Sequence, residues 1–555
     1  MDIHYYYKEN SGPGQSRNYG AERAKGEYLL ILDSDVVLPE GYLKFFSPVV
    51  YAQNVEQKGE GVSKMNLSSN IEWKAEMQGT FSKGKTPLWL NANKHGLSSL
   101  EECNGYLRGS LVRPMESDSA CRWAVGYGLD IAVPVNYTSH FIVQQAFAEV
   151  RWLHGTMTIG SKEFPMELKN QTLSSGSQAL GINARPIPQV RFALPEYITL
   201  PFLKGWLQFK GHVSYGIMTD DHWQHEFTSC QSKYADHVLY HSKAGYLKIE
   251  NQRKNSPWSV ELGLEMGAEF GGNLYRLDNG VKVQIPTEKG LNGFWHAFIP
   301  GGSDATDGEK YPNIAGNQLG SWVMRVNYNA KKWALHAYLD HFFEDHSQMF
   351  LLDYDGYGEQ SNWTKKEKFR FFRYDLKDML WGIELNLKNT HWLQNVVFEY
   401  LYTKYQSGPI YHDHTMNIPD HIAGTDNYYN HGIYNGWQHW GQVIGNPLFR
   451  SPIYNTDGRI YVKNNRFIAY HLGFDGHPAK RLGYRALATY QKGWGTYQEP
   501  FTKEHHNVSF LLESQYDFNH GWGVKVGYGM DFGSNLMLGH NAGFQLTISK
   551  KGLLK

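Results

Sequence analysis

The chain has 555 residues, and its 54 Lys and Arg balance 54 Asp and Glu to a formal net charge of zero. That leaves no basic footprint for a nucleic acid. Charged residues make up only 19% while aromatic residues reach 15%, with 57 glycines, a mixture that excludes a disordered chain or a helical bundle and fits an all-β chain with many turns.

Cys103, Cys121 and Cys230 form no CxxC pair, so neither a disulfide framework nor a cysteine zinc site is expected. No apolar run approaches the ~18–20 residues of a membrane helix. A β-barrel stays open, because its spans are only ~9–11 residues and alternate in polarity.

The first 45 residues read unlike the rest. Ala21–Lys25 favours a short helix that stops at Gly26, and Tyr28–Leu32 is a continuous apolar run, as in a strand buried on both faces. Asp33-Ser34-Asp35 follows at once, and two carboxylates there can hold a divalent metal against phosphate oxygens. With Asn10–Gly14, Arg17-Asn18, Gly20-Ala21, Gly26 and Leu32–Asp35, the stretch resembles the middle of a family 2 glycosyltransferase. That resemblance implies that Asp33 and Asp35 descend from a metal and nucleotide-sugar site. The strand that should precede it and the acceptor half that should follow are missing, so residues 1–45 are read as vestigial. No catalytic residue, metal or cofactor is assigned. Residues 46–70 read as a linker or a signal-peptide remnant, since Phe45–Gln53 is apolar with a small Ala52. A clean secretory signal is missing, which implies a misassigned start or an unexported copy.

Residues 71–555 are dominated by a period of two. In Trp258–Phe270 the apolar residues take every even position and Glu261, Gly263, Glu265, Gly267 and Glu269 the other face. Val524–Phe532, Trp123–Val133 and Trp333–Leu339 repeat the design. Val508–Phe518 does so too, with Leu511 and Ser514 breaking strict alternation. Strands this long suit a tilted membrane crossing. Trp206, Trp258, Trp322, Trp381, Trp392 and Trp522 mark strand ends as an interfacial girdle would. Short connections such as Asn519–Gly521 alternate with long ones such as Gln406–Pro447. The reading is a barrel with its apolar rows facing lipid and its hydrophilic rows enclosed.

Several stretches carry a second resemblance: Pro87–Ser99, Gly160–Pro165, Leu180–Arg191, Lys210–Gly216 with Asp220-Asp221, Asp426–Asn430 through Gly445–Pro447, and Gly493–Tyr497. They are similar to the Wzi-like capsule assembly proteins of Bacteroidetes. The resemblance implies an antiparallel outer-membrane barrel of about eighteen strands. It implies a non-catalytic partner of capsular or exopolysaccharide, held in outer-membrane lipid, and it leaves the oligomeric state open.

Within the body, Tyr411–Asn446 is richest in chemistry. Flat sugar faces pack on aromatic rings and hydroxyls need planar polar partners. Asp426, Asn427, Tyr428, Tyr429, Tyr434, Trp437, His439 and Trp440, with His431 nearby, therefore form a candidate saccharide platform; the alternative is that they pack the loop onto the barrel rim. His412-Asp413-His414 lacks further ligands at a telling spacing and reads as solvated loop. Glu261, Glu265 and Glu269 read as polar lumen lining or as pairing across strands with Lys and Arg; Arg185, Arg191, Lys204 and Lys210 supply such partners or equally contact an acidic polymer. Gly301-Gly302 with Asp304 and Asp307 reads as a flexible acidic loop, and His505-His506 as a turn. No GxSxG, Walker or HExxH motif is present. The leading expectation is a polysaccharide-binding barrel with a filled lumen. The competitors are a glycosyltransferase carried by Asp33 and Asp35, and a small-solute porin.

Overall fold

The computed structural model describes residues 66–554 except 119–122, 252–255, 302–314, 345–351, 358–365, 372–376 and 412–421. Asp33, Asp35, Asp304, Asp307, His412, Asp413 and His414 thus lie outside the described residues. The unit that runs from Asn66 to Lys555 holds every element below.

Eighteen strands form one sheet. In chain order they are β1 Ile71–Lys83, β2 Cys103–Arg113, β3 Trp123–Val135, β4 Ile142–Trp152, β5 Gly155–Ser161 and β6 Gln189–Thr199. Next come β7 Leu207–Ile217, β8 Leu239–Glu250, β9 Trp258–Phe270, β10 Asn317–Asn329, β11 Trp333–Glu344 and β12 Met379–Leu387. The last six are β13 Asn395–Tyr402, β14 Phe467–Ala479, β15 Leu482–Gly495, β16 Pro500–Asp517, β17 Trp522–Gly533 and β18 His540–Leu554. Each pairs antiparallel with the next, and β18 returns to β1 with Ile71 opposite Leu554 and Phe81 opposite Phe544. The sheet is a closed cylinder, the one sheet that leaves no backbone group unpaired in lipid.

The alternation read in the sequence sorts the faces as expected. On β16 Phe510 and Leu512 point outward and are exposed, while Asn507, Ser509 and Leu511 point inward and are buried. On β9 Trp258 and Leu262 are exposed outside, and Glu265 and Glu269 are buried inside. Leu511, which broke the pattern, packs inward against Leu90 of the Leu88–Asn91 helix inside the barrel. His505 and His506 fall within β16, not in a turn. That strand rises past the membrane belt, where a polar pair costs nothing in the ladder.

Connections 153–154, 200–206, 330–332, 388–394, 480–481 and 518–521 are short and lie at one end, with both strand termini. The strand ends that lead into and out of 84–102, 162–188, 218–238, 271–316, 345–378 and 403–466 lie at the other. This is the outer-membrane arrangement of short periplasmic turns and long extracellular loops. Trp123, Trp152, Trp206, Trp258, Trp392 and Trp522 ring the short-turn end and are exposed. Trp381 is exposed near the opposite end, and Trp322 is half-buried.

The hydrophobic core lies inside the cylinder. Leu88, Trp89 and Leu90, Leu173 and Ala179, and Tyr428, Tyr429, Trp437 and Phe449 come from three long loops. They pack with the inward residues Tyr338, Phe342, Leu401 and Leu487 of the wall. An apolar cluster of this size inside a barrel is a plug, because no aqueous channel is lined by buried aliphatic and aromatic carbon.

Candidate functional site

The plug is held to the wall by buried carboxylates. Glu399 on β13 accepts from Ser174 Oγ at 2.6 Å, Ser175 N at 2.8 Å and Tyr338 Oη at 2.5 Å. Asp340 on β11 accepts from Gln178 N at 3.0 Å and pairs with Lys169 Nζ at 2.8 Å, both side chains shut off from solvent. Asp531 on β17 accepts from Leu88 N at 3.1 Å. Glu344 accepts from Tyr429 N at 2.6 Å. Each of these wall acids satisfies a loop backbone or hydroxyl group that would otherwise be stranded away from water.

The eight residues expected to form a saccharide platform are brought together here, but inside. Asp426, Tyr428, Tyr429, Tyr434, Trp437 and His439 are buried, and Asn427 and Trp440 are half-buried. Trp437 Nε1 donates to Ala179 O at 2.8 Å, and its indole stacks on Tyr240 with centroids 5.8 Å apart. Tyr429 stacks on Phe449 at 4.1 Å. Tyr428 Oη donates to Asp378 Oδ2 at 3.2 Å and Tyr434 Oη to Gly271 O at 3.3 Å. Asn427 Oδ1 accepts from Asn465 Nδ2 at 2.6 Å. His439 lies between Arg185 O (Nδ1, 2.9 Å) and Thr219 N (Nε2, 3.2 Å), which suits the neutral ring with its proton on Nδ1. The expected surface loop is a lumen element, because its rings gain more from the plug core than from water. What remains open to solvent narrows to Trp440 and Asn427.

Trp440 sits at the long-loop end of the plug. The Arg185 guanidinium lies 4.3 Å from its ring centroid. Arg185 also donates to Ser139 Oγ and Thr138 Oγ1, each at 2.8 Å. Burial pushes the Arg185 guanidinium down to about 10, so it stays charged at neutral pH. Trp440 N donates to Asp220 Oδ2 at 3.2 Å and Nε1 to Thr219 Oγ1 at 3.4 Å. The result is a rigid aromatic edge flanked by a cation and hydroxyls.

Of the two readings of Glu261, Glu265 and Glu269, lumen lining or pairing with basic side chains, the structure shows the lining. Glu261 accepts from Tyr197 Oη at 2.6 Å, Glu265 from Tyr246 Oη at 2.8 Å, and Glu269 from Asn317 Nδ2 at 2.6 Å. Arg191 lies over the Phe164 ring at 4.1 Å, and Lys210 pairs with Glu167 at 2.5 Å. The three acids line the lumen, as read, but hydroxyls and an amide satisfy them, so the lumen keeps no column of bare carboxylates.

Beneath the plug, at the short-turn end, is a polar chamber of about 510 Å³. Its walls carry Lys74, Glu76, Arg108, Arg485, Glu513 and Lys525, and its roof Asn93, Lys94, His95 and Glu163. Arg108 makes a two-pronged bond to Asp130 at 2.8 and 2.6 Å. Arg485 and Lys525 meet Glu513 at 3.2 and 3.7 Å. Burial, with Lys525 nearby, pushes the Lys94 ammonium down to about 7. Sequence reasoning missed this set. The signal was there in Asp130, a charge on the polar row of an otherwise apolar β3. A smaller cavity of about 90 Å³ lies between plug and wall near Arg191, His212 and Tyr246. Among the described residues no three His, Cys, Asp or Glu converge as a metal site. In the smaller cavity His212 Nε2 lies 3.2 Å from Ser242 Oγ, which in turn meets Ser214 Oγ at 2.7 Å.

With that geometry, the comparisons are informative. Residues 1–47 match the model of glycosyl transferase family 2. The fold is similar to that of Wzi from Escherichia coli, an outer-membrane protein involved in group 1 capsule assembly and described as a carbohydrate-binding β-barrel. The TM-score is 0.51 and the identity 14%, over 87% of this chain and 84% of that one. The fold is that of an outer-membrane β-barrel. Pseudomonas aeruginosa OprD aligns with a TM-score of 0.39 at 8% identity, over 88% of this chain and 96% of that one. Acinetobacter baumannii OccAB4 aligns at 0.42 and 8%, over 88% and 99%. No curated protein matches the sequence. At 14% identity what this chain shares with Wzi is the architecture.

Proposed function

We propose that this barrel binds a capsular or exopolysaccharide at its long-loop end and helps to hold it at the cell surface, without catalysing a reaction. The observation that carries the reading is the plug. A porin needs a continuous water path, whereas here three long loops fill the lumen with a buried aromatic core anchored by Glu399, Asp340 and Asp531. A filled barrel serves as a stiff platform. The Trp440 ring edge and the hydroxyls of Thr138, Ser139 and Thr219, backed by the buried Arg185, offer the stacking and hydrogen-bonding groups that a sugar chain takes. The buried members of the loop, from Asp426 to His439, support that edge from beneath. The likeness to a carbohydrate-binding barrel points the same way.

The test is binding of the purified full chain to the producing strain's own surface polysaccharide, beside planar-bilayer recordings. Saturable binding that weakens roughly tenfold or more in Trp440→Ala, with conductance near baseline, is expected; the loss of one stacked ring costs ~1–3 kcal/mol. Stepwise single-channel conductance with no polymer binding would replace this reading with that of a porin.

A further inference from the structure

The outer wall carries a second feature that polymer capture at the plug does not use. Across β13, β14 and β15 three outward tyrosines face one another in register. Tyr400 is opposite Tyr470, with rings 5.2 Å apart, and Tyr470 is opposite Tyr490 at 6.5 Å. They sit towards the long-loop ends of their strands, above the exposed Phe398, Leu472 and Phe510. A row of rings above an apolar belt marks the outer membrane–water interface.

Directly above that row the outward positions become cationic. Ile468 is opposite Lys492, and Lys492 is opposite His506. One step further come Lys404, Arg466, Trp494 and Glu504. The Lys404 ammonium lies 4.2 Å from the Trp494 ring centroid, and Lys492 lies 5.3 Å from the same ring. Arg466 lies 3.6 Å from the ring centroid of Tyr497 and donates its Nε–H to Lys404 O at 3.1 Å. Glu504 meets Lys492 at 2.7 Å. Among the described residues Glu504 pairs with Lys492 alone of the three cations, and Lys404 and Lys492 flank a single indole.

Like charges crowded this way repel, and at the edge of a lipid layer they gain from an anion brought by the lipid itself. The rings hold the cations flat against the wall, so they are pre-positioned rather than free to spread into water. We propose that the outer wall above Tyr400, Tyr470 and Tyr490 is a binding site for the phosphorylated headgroup of an outer-leaflet lipid. Lys404, Arg466 and Lys492 take the phosphate, the Trp494 and Tyr497 rings bracket the sugar or glycerol, and the acyl chains run down the apolar belt below.

The test uses the full chain, refolded in detergent and titrated with bisphosphorylated lipid A, with the dephosphorylated form, and with inorganic phosphate, bound lipid being counted by native mass spectrometry. Retention of the phosphorylated lipid alone is expected, with affinity falling about fivefold for each charge removed in Lys404→Gln, Arg466→Gln and Lys492→Gln. Should the triple variant not refold, Lys404→Gln alone is read in the same way. Equal retention of the dephosphorylated lipid, or unchanged retention by a folded variant, would overturn the site. Inorganic phosphate held as tightly as the lipid would also overturn it, showing a free-anion site instead. Polysaccharide binding should be unaffected by these variants, so this proposal and the lectin reading fail separately.

Discussion

The six-membered ring of the Trp437 indole packs against Gly267 on the inner face of β9. A Cβ at position 267 would come within 2.3 Å of Trp437 Cη2. The glycine on the lumen row is therefore a recess for the plug, and Tyr240 on the neighbouring strand forms its other wall. Gly267→Ala should lower the unfolding free energy by ~1–3 kcal/mol through overpacking. Trp437→Ala should lower it by ~3–5 kcal/mol through the cavity it leaves. The two together should cost less than their sum, since the removed ring makes room for the added methyl. Urea unfolding of the refolded barrel, followed by intrinsic fluorescence, measures all three. Strict additivity would show that residue 267 does not seat the ring.

The outward row is expected to meet hydrocarbon. Leu512 is 59% exposed in the bare chain while its neighbour Leu511 is 3% exposed. Leu512→Arg should weaken folding into lipid vesicles by ~2–4 kcal/mol, the cost of a cation on the lipid face near midplane. Leu512→Phe should leave it nearly unchanged. If Arg is tolerated at 512 as well as Phe, that face does not touch acyl chains.

Lys94 in the plug and Lys233, which donates to the plug carbonyls of His431 and Tyr434, set a pH dependence. Burial pushes Lys94 down to about 7 and Lys233 to about 8, against about 10.4 in an unfolded chain. Between those limits the folded state binds fewer protons than the unfolded one, so stability rises with pH. Below 7 both lysines are charged in the fold and the full penalty applies. The unfolding midpoint in detergent should be higher at pH 9 than at pH 7. Lys94→Met should shrink the difference, because Lys94 Nζ at 2.5 Å from Gln545 Oε1 faces Lys525 and Arg485 across the chamber. A midpoint that falls between pH 7 and 9 in the parent chain would contradict this assignment.

The strands were legible because a period of two survives wherever one side meets lipid and the other a polar interior. Trp258–Phe270 shows this without a break. A filled lumen was expected, but which residues fill it was not legible, for the same reason. Leu511, Phe342 and Leu401 face inward although apolar, and only a filled lumen explains them. Tyr428, Tyr429 and Trp437 carry no periodicity that separates a rim loop from one drawn inside. Their partners, Gln178, Ala179 and Asp378, lie 50 to 258 residues away in the chain, a separation that no local pattern encodes. The same holds for Glu265, whose contact with Ser177 spans 88 residues. The carboxylates on the polar row could be seen in the sequence, but not the loop groups waiting for them.

The pairing of Ile71–Lys83 with His540–Leu554 has a kinetic consequence. Its two strands are the most distant in the chain, so their union carries the largest loop-closure entropy of any rung in the cylinder. Until that seam zips, both strands present a long unpaired border, ready to template foreign strands. Whatever escorts the nascent sheet has to shield those two borders, and it can be displaced only when they find each other.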